Sequence, residues 1–330
     1  MWYDKAQLLS HNKILNMVLS NRGGGKTFHF TRWGIDDFKK NGNQCVWVRR
    51  YQTEVDEMLL NGKFFDAVRE YYPNDELTID GNLGLVNGKV AFYFIALSTS
   101  RQLKSNNYPL VNKIVFDEFI IDKGRVTYLK AEVEVFLDLY ETVARMRDNV
   151  RAVLLANSIT VVNPYFLFWN IKPDSKKRFT VKGQICVELF TDADFIAQKK
   201  QTRFGQLVNG TRYGDYAIDN KWLLDSETFI QKKTPKAEFM LSIKYMGVEY
   251  GFWVDYHEGL IFVNRQFDPC SYSRYCLTKD DHETNLLLVK SLADNKRIQR
   301  IVFAFRNGII RFEDMQVKAQ FYEYIGFFVR

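Results

Sequence analysis

Eight consecutive residues, Ser20-Asn21-Arg22-Gly23-Gly24-Gly25-Lys26-Thr27, carry the groups a chain needs to grip a polyphosphate. They approach the pattern G-x-x-x-x-G-K-[ST], with Ser20 in place of its first glycine. The glycines let the backbone wrap closely, so that successive N–H groups face phosphate oxygens. Lys26 would reach the β and γ phosphates, and the Thr27 hydroxyl would ligate Mg²⁺. A glycine-rich turn that binds nothing has no use for a lysine and a hydroxyl at this offset. Ser20 would be strained if its position required a positive φ.

Mg²⁺ also needs a carboxylate beside Thr27, and Lys113–Phe119, KIVFDEF, supplies one at the end of an apolar run. Asp117 would support the ion, and Glu118 would orient or deprotonate the attacking water. Taken alone, such a pair is an ordinary solvated strand end. Placed after the glycine loop, in this order along the chain, it points to an NTP hydrolase.

These residues must be brought together by a sheet. Ile14–Leu19 is short and mostly apolar, as a buried parallel strand is. The helix expected after Thr27 presents its positive end to the same anion. Gln44–Val48 reads as a second strand, ending in Arg49-Arg50-Tyr51 at the edge where open α/β sheets present residues to ligands. A polar helical stretch follows to about Tyr72. Leu77–Asp80 and Leu85–Leu97 then alternate, with Asn87-Gly88 as a hairpin turn. Tyr128–Met146 places apolar residues at Leu129, Val133, Phe136, Tyr140 and Val143, a helical period. Arg145 and Arg147 sit near its end, where cations are favourable for dipole reasons alone. Val150–Ala156 is another buried strand. It leads to Asn157, which either touches the attacking water or a γ-phosphate oxygen, or caps the strand.

The composition of 330 residues, 46% hydrophobic and 26% charged, is that of a soluble globular protein with room for two domains. No apolar run approaches a membrane span, and no membrane partner is expected. The cysteines, Cys45, Cys186, Cys270 and Cys276, are scattered, which argues for a reducing compartment and against a zinc site. Net charge is +7, and Lys172–Arg212 holds nine Lys or Arg against four acids, a surplus of five. Residues 1–171 are therefore expected to form the nucleotide-binding domain and 172–227 a basic linker region. Lys199, Lys200 and Arg203 are its candidates for touching a nucleic-acid backbone, against the plainer reading of a solvated charge run. Residues 228–330, with strands over Glu238–Val263, an apolar-aromatic segment Ile298–Arg311 and a terminal helix, read as a small α+β domain.

The segments SNRGGGKT, VWVRRY, NKIVFDEF, LLANSITVVNPYFLFWN and QTRFGQLVNGTRYGD together resemble the DNA-packaging ATPases of small tailed bacteriophages. The resemblance runs over nearly the whole chain. It implies an N-terminal RecA-like α/β domain of the class with an additional strand and a catalytic glutamate. It also implies ATP and Mg²⁺ as cofactors and double-stranded DNA as the translocated polymer. The protein would work as a homo-oligomeric ring, commonly a pentamer, on the portal of an empty capsid in the host cytoplasm, with a structural RNA as a further candidate partner. Carried over by position, Asn21 to Thr27 cradle the nucleotide, Asp117 supports Mg²⁺ and Glu118 activates water. Arg145 resembles the arginine finger inserted into a neighbouring subunit's site, with Arg147 as the alternative. Lys104 resembles a second trans-acting cation, and Asn157 the residue coupling the γ-phosphate to the sheet. The C-terminal domain resembles a vestigial RNase H-type nuclease. Asp255 ends a strand there, but Glu258, Asp268, Asp280 and Asp281 fall in loop-like sequence without an obvious cluster, so no cleavage is expected.

Two other readings share the glycine loop. A P-loop phosphotransferase acting on a small molecule would have a lid and an acceptor pocket in place of a water-activating glutamate. A nucleotide-gated, nucleic-acid-binding scaffold would keep its function when Glu118 is replaced.

Overall fold

The computed structural model describes residues 3–21, 23–103, 106–121, 127–157, 163–174, 177–211, 214, 218, 229–289 and 295–329, with side chains to 326. Met1–Leu224 and Asp225–Arg330 separate as two units.

In the first unit the chain runs α1 (Ala6–Ser10), β1 (Leu15–Ser20), α2 (Lys26–Asn41), β2 (Gln44–Arg49), α3 (Gln52–Leu59), α4 (Lys63–Arg69) and β3 (Leu77–Asp80). It continues through β4 (Leu83–Val86), β5 (Lys89–Ala96), β6 (Val111–Asp117), α5 (Glu132–Ala144), β7 (Arg151–Asn157) and α6 (Pro164–Phe168). Last come β8 (Phe179–Lys182), β9 (Ile185–Phe190), α7 (Ala193–Gln201) and α8 (Arg203–Val208). The strands form one nine-stranded sheet in the order β3-β4-β5-β2-β6-β7-β1-β9-β8. From β5 to β9 every neighbouring pair is parallel, whereas β3, β4 and β8 close the edges with antiparallel hairpins.

Both faces of this sheet are covered, which explains the continuous apolar runs. Met17, Val46, Val48, Ile114, Phe116 and Leu154 pack with Val133, Phe136 and Leu139 of α5 and Phe166 of α6. Their neighbours in each strand, Val18, Cys45, Trp47, Val115 and Val153, point the other way into a cluster with Phe30, Val55, Phe64 and Phe65 from α2, α3 and α4. This is the period-two alternation of strands buried between two helical layers.

One expectation changes. Residues 172–227 are more than a linker, because β8 and β9 join the first sheet and β9 pairs in parallel with β1, Ser20 opposite Phe190. The sequence carries the signal: Ile185 and Val187 face one core and Cys186 the other, after a turn at Gly183 with φ 56°. The local surplus of lysine and arginine obscured it.

The second unit contains β10 (Glu238–Tyr245), β11 (Val248–Asp255), β12 (Leu260–Asn264), β13 (Arg274–Cys276), β14 (Leu287–Leu288), α9 (Lys296–Arg306), β15 (Ile310–Phe312) and α10 (Met315–Val329). Its sheet has the order β14-β13-β10-β11-β12-β15. Leu241, Ile243, Phe252 and Val263 pack under Ile298 and Ile301 of α9 and Phe321 and Tyr324 of α10. The apolar segment Ile298–Arg311 thus divides into a helix and a short strand. Among the described residues no helix is long and apolar enough to cross a membrane.

The α2–sheet contact leaves no slack. A Cβ on Gly34 would lie 2.5 Å from Cζ of the buried Phe92. Gly34→Ala should therefore destabilise the fold by about 1–3 kcal/mol despite the better helix propensity of alanine. Denaturant unfolding checks this, and a stabilised variant would contradict it.

Candidate active site

The parallel strands deliver their last residues to one edge of the sheet. Ser20 of β1 lies in register with Asn157 of β7, and Asp117 of β6 with Leu155 of β7. Ser20 is the last residue of β1 and is not among the positive-φ residues; those positions in the loop are Gly23 (φ 85°) and Gly25 (φ 83°). The serine is thus compatible with the loop, and the left-handed turns fall on residues that adopt them freely.

Lys26 opens α2 and turns back under the loop. Its Nζ donates to Ser20 Oγ at 2.7 Å, to the Asn21 carbonyl at 3.3 Å and to Asn157 Oδ1 at 3.3 Å. Only 8% of the residue is exposed. Burial pulls its pKa down to about 8, against a smaller upward pull from Asp117 and Glu118. A lysine in this state is a cation short of anions, which is the requirement of a phosphate. The Thr27 hydroxyl lies 3.2 Å from Asp117 Oδ2. Burial raises the Asp117 pKa, opposed by Arg49. A threonine hydroxyl and a carboxylate at this separation are oxygen ligands of the kind Mg²⁺ takes, and would hold it between them.

Glu118 follows with φ 61°, a conformation costing a residue other than glycine about 1–2 kcal/mol. Its side chain is 62% exposed and pairs with Arg49, Nη2 to Oε2 at 2.7 Å, while Arg49 Nη1 lies 3.5 Å from Asp117 Oδ2. Arg49 therefore spans both acids. The Asn21 side chain, buried, donates to the Ile218 carbonyl, while the Asn21 backbone carbonyl accepts from Gly24 N–H at 3.3 Å. Phe195 of α7 stands over the loop, 3.8 Å from where a Cβ on Gly23 would sit.

Lys26, Thr27, Asp117, Asn157 and the glycines thus meet at one edge, with Glu118 beside them. Arg22 and Lys104 lie outside the described residues. Arg145 caps the C-terminal end of α5, with φ 50°, and its Nη2 donates to the Asn106 carbonyl at 3.2 Å. Arg147 is anchored in its own subunit, donating to the carbonyls of Tyr108, Pro109, Val111 and Val143. Lys199 and Lys200 lie in the last turn of α7, and Arg203 opens α8. Of the other basic residues counted there, Arg178 pairs with the buried Glu188 at 2.7 Å, and Lys182 donates to the carbonyls of Trp169 and Asn170.

Sequence reasoning missed the buried partners of the site. Arg50 points away from Arg49 and forms a buried ion pair with Glu132 of α5, Nε to Oε2 at 2.8 Å. The available signal was an acid on the apolar stripe of α5, three residues after Leu129 and four before Phe136.

A family model described as podovirus DNA encapsidation protein (Gp16) matches residues 1–327. The chain belongs to this family. It is 38% identical to the DNA packaging protein of Bacillus phage phi29 over 323 residues, covering 98% of this chain and 96% of that protein. Within the family, structural likeness is also high. The chain overlays a chain of the bacteriophage phi29 viral genome packaging motor assembly with a TM-score of 0.83 and 38% identity, covering 98% of each. The crystal structure of the N-terminal domain of the phi29 DNA packaging ATPase covers 59% of this chain and 98% of that one, with 40% identity and a TM-score of 0.55.

The Lys26 geometry has a consequence for pH. In the free protein its pKa is about 8. Phosphate oxygens favour the charged form, so binding raises the pKa above that value. Affinity for ATP should be level below about pH 8 and fall as pH rises through it, approaching tenfold per unit until the bound pKa is reached. Calorimetry in buffers of different ionisation enthalpy should show proton uptake on binding at about pH 9 and little at about pH 6.5. Equal proton uptake at both would contradict a depressed Lys26.

Proposed function

We propose that this chain is the ATP-hydrolysing motor that drives double-stranded viral DNA into a preformed capsid, acting as a homo-oligomeric ring, pentameric on the family pattern, at the portal. The observation that carries the reading is the convergence of buried Lys26, the Thr27–Asp117 pair and Glu118 at the carboxyl edge of a parallel sheet. Membership of the encapsidation family supplies the polymer and the capsid. A structural RNA is a candidate partner on the resemblance alone, and the host cytoplasm is where such a motor meets the portal.

Gly23 to Lys26 would hold the phosphates, and Thr27 with Asp117 would hold Mg²⁺, which supplies charge neutralisation at the γ-phosphate when bound. Glu118 would take the proton of the attacking water. Its pair with Arg49 must first loosen, since the guanidinium occupies a carboxylate oxygen that would accept the proton. Asn157, bonded to Lys26, would report the γ-phosphate to β7. Lys104 would add a trans-acting cation. Arg145 is favoured as the finger over Arg147, because Arg147 is committed to four carbonyls of its own subunit. Met146 beside it is 99% exposed, as an apolar residue awaiting a neighbouring subunit would be.

The second unit is read as a vestigial RNase H-type domain. In support, β10, β11 and β12 form an antiparallel meander, extended beyond β10 by parallel β13 and β14. No cleavage is expected of it, because the strand-end Asp255 and the loop Asp281 have structural partners. Asp255 accepts from Thr234 and from the N–H groups of His257 and Glu258, and Asp281 from those of Met246 and Gly247.

Three experiments test the reading. Arg145→Ala subunits should bind ATP normally and hydrolyse it about 10³–10⁵-fold more slowly once assembled. Mixed with Glu118→Gln subunits, they should regain activity, because some interfaces then pair an intact Glu118 site with an intact Arg145. Full turnover by dilute Arg145→Ala monomer would sink the trans arrangement. Hydrolysis unmoved by double-stranded DNA would favour a small-molecule phosphotransferase. For the DNA grip, binding should weaken steeply with salt, and neutralising Lys199, Lys200 and Arg203 should flatten the log–log slope by about 0.9 per lost phosphate contact. An unchanged slope would assign these charges to a protein or RNA partner, or to solvent.

A further inference from the structure

The conformation of Glu118 needs an external hold. A residue other than glycine at φ 61° relaxes unless its flanking peptides are fixed. The peptide before it lies at the end of β6, where Asp117 is in register with Leu155 of β7, and the peptide after it is tied to the same strand by its Phe119 N–H, which donates to the Leu155 carbonyl at 3.1 Å. The carbonyl of that second peptide, and the next one along, are held by a side chain. Arg50 Nη1 donates to the Glu118 carbonyl at 3.2 Å, and Nη2 to the Phe119 carbonyl at 2.8 Å. The same guanidinium turns its Nε and Nη2 to Glu132, at 2.8 and 3.0 Å. It lies over the rings of Phe116 and Tyr128, at 5.4 and 5.1 Å.

Glu132 is in turn saturated. Besides Arg50 it accepts from the Leu129 N–H at 2.8 Å and the Tyr165 hydroxyl at 3.0 Å. Arg50 and Glu132 are each 2% exposed. Burial pulls the Arg50 pKa down, but the bonds and charge of Glu132 outweigh it, and the guanidinium stays charged. Removing two charges from water is expensive, and an apolar pair of equal volume often packs as well. What an apolar pair cannot do is present two N–H groups to two successive carbonyls, and a lysine cannot span them either.

We propose that Arg50, oriented by Glu132 and Tyr165, is the positioning residue that holds Glu118 in its strained backbone conformation and so aims its carboxylate at the attacking water. The inference rests on Glu118 being the water-activating base. Arg50 is buried and acts through two successive carbonyls, that of the Glu118–Phe119 peptide itself and that of Phe119. Misaiming a base by about 1 Å is enough to cost on the order of 10²-fold in turnover while leaving binding alone.

The test is a kinetic cycle on full-length protein with ATP, pairing Arg50→Lys with Glu118→Gln. Arg50→Lys alone should lower kcat about 10- to 100-fold. The ATP dissociation constant should stay within about twofold, since the phosphate loop is untouched. In the Glu118→Gln background Arg50→Lys should have no further effect on kcat, because no base remains to be aimed. A general loss of folded protein would lower activity by the same factor in both backgrounds, so equal factors overturn the proposal. So does an unchanged kcat in Arg50→Lys alone. If Glu118→Gln itself turns over normally, the base assignment has failed, which is a separate result. Tyr165→Phe, which deletes one hydroxyl, serves where Arg50→Lys does not fold. It should lower kcat about 2- to 10-fold with affinity unchanged, and wild-type turnover would overturn the proposal.

Discussion

The site depends on a cation kept out of water before its counter-ion arrives. Lys26 is nearly buried and receives only neutral oxygens, from Ser20, Asn21 and Asn157. Desolvating an ammonium whose hydrogen bonds go to neutral oxygens is unfavourable, Asp117 and Glu118 nearby compensate only in part, and the sheet offsets the cost through the burial of both its faces. A polyphosphate entering the loop relieves it. The loop, the Thr27–Asp117 pair and the strand order can all be understood as ways of presenting this cation to one ligand.

The consequence for architecture is that β1 must be flanked by strands that end in useful side chains. β7 on one side brings Asn157 to Lys26, and β6 beyond it brings Asp117 to Thr27. β9 on the other side leads through Asp192 into α7, whose Phe195 stands over Gly23. The two acids differ in burial, as the proposed metal support and base should. Asp117 is enclosed, as a metal support can be, and Glu118 is left open to water by a backbone turn that lifts it off the strand.

Most of this edge was legible in the sequence because each part follows a local rule. Glycines followed by Lys-Thr, an apolar run ending in Asp-Glu, and strands of about six residues are all readable without knowing the neighbours. What was not legible depends on pairs far apart in the chain. Arg49 and Arg50 read as one basic strand end, yet Arg49 pairs with the two acids while Arg50, just past the strand, pairs with Glu132. Residues 179–190 read as part of a basic linker because charge counting ignores direction, and Arg178 and Lys182 satisfy groups of their own unit. The difference between Arg145 and Arg147 likewise lies in which carbonyls come near, and no spacing rule reports that.

Helix α5 carries Glu132 in its first turn and delivers Arg145 at its C-terminal end. Thirteen residues of α-helix separate the two ends by about 20 Å and fix their angular phase. One inserted residue would advance the far end by about 1.5 Å and swing it through about 100°. Substitutions on the solvent side of α5 leave that phase untouched, whereas any change of length redirects Arg145 relative to the buried anchor at Glu132. The excursion from α3 to β5 has no such constraint, since its edge hairpins can lengthen without turning anything in the site. In lineages that share this fold, length variation should therefore accumulate at the β3–β4 edge and be purged from α5, a pattern set by helical geometry rather than by the chemistry of any one side chain.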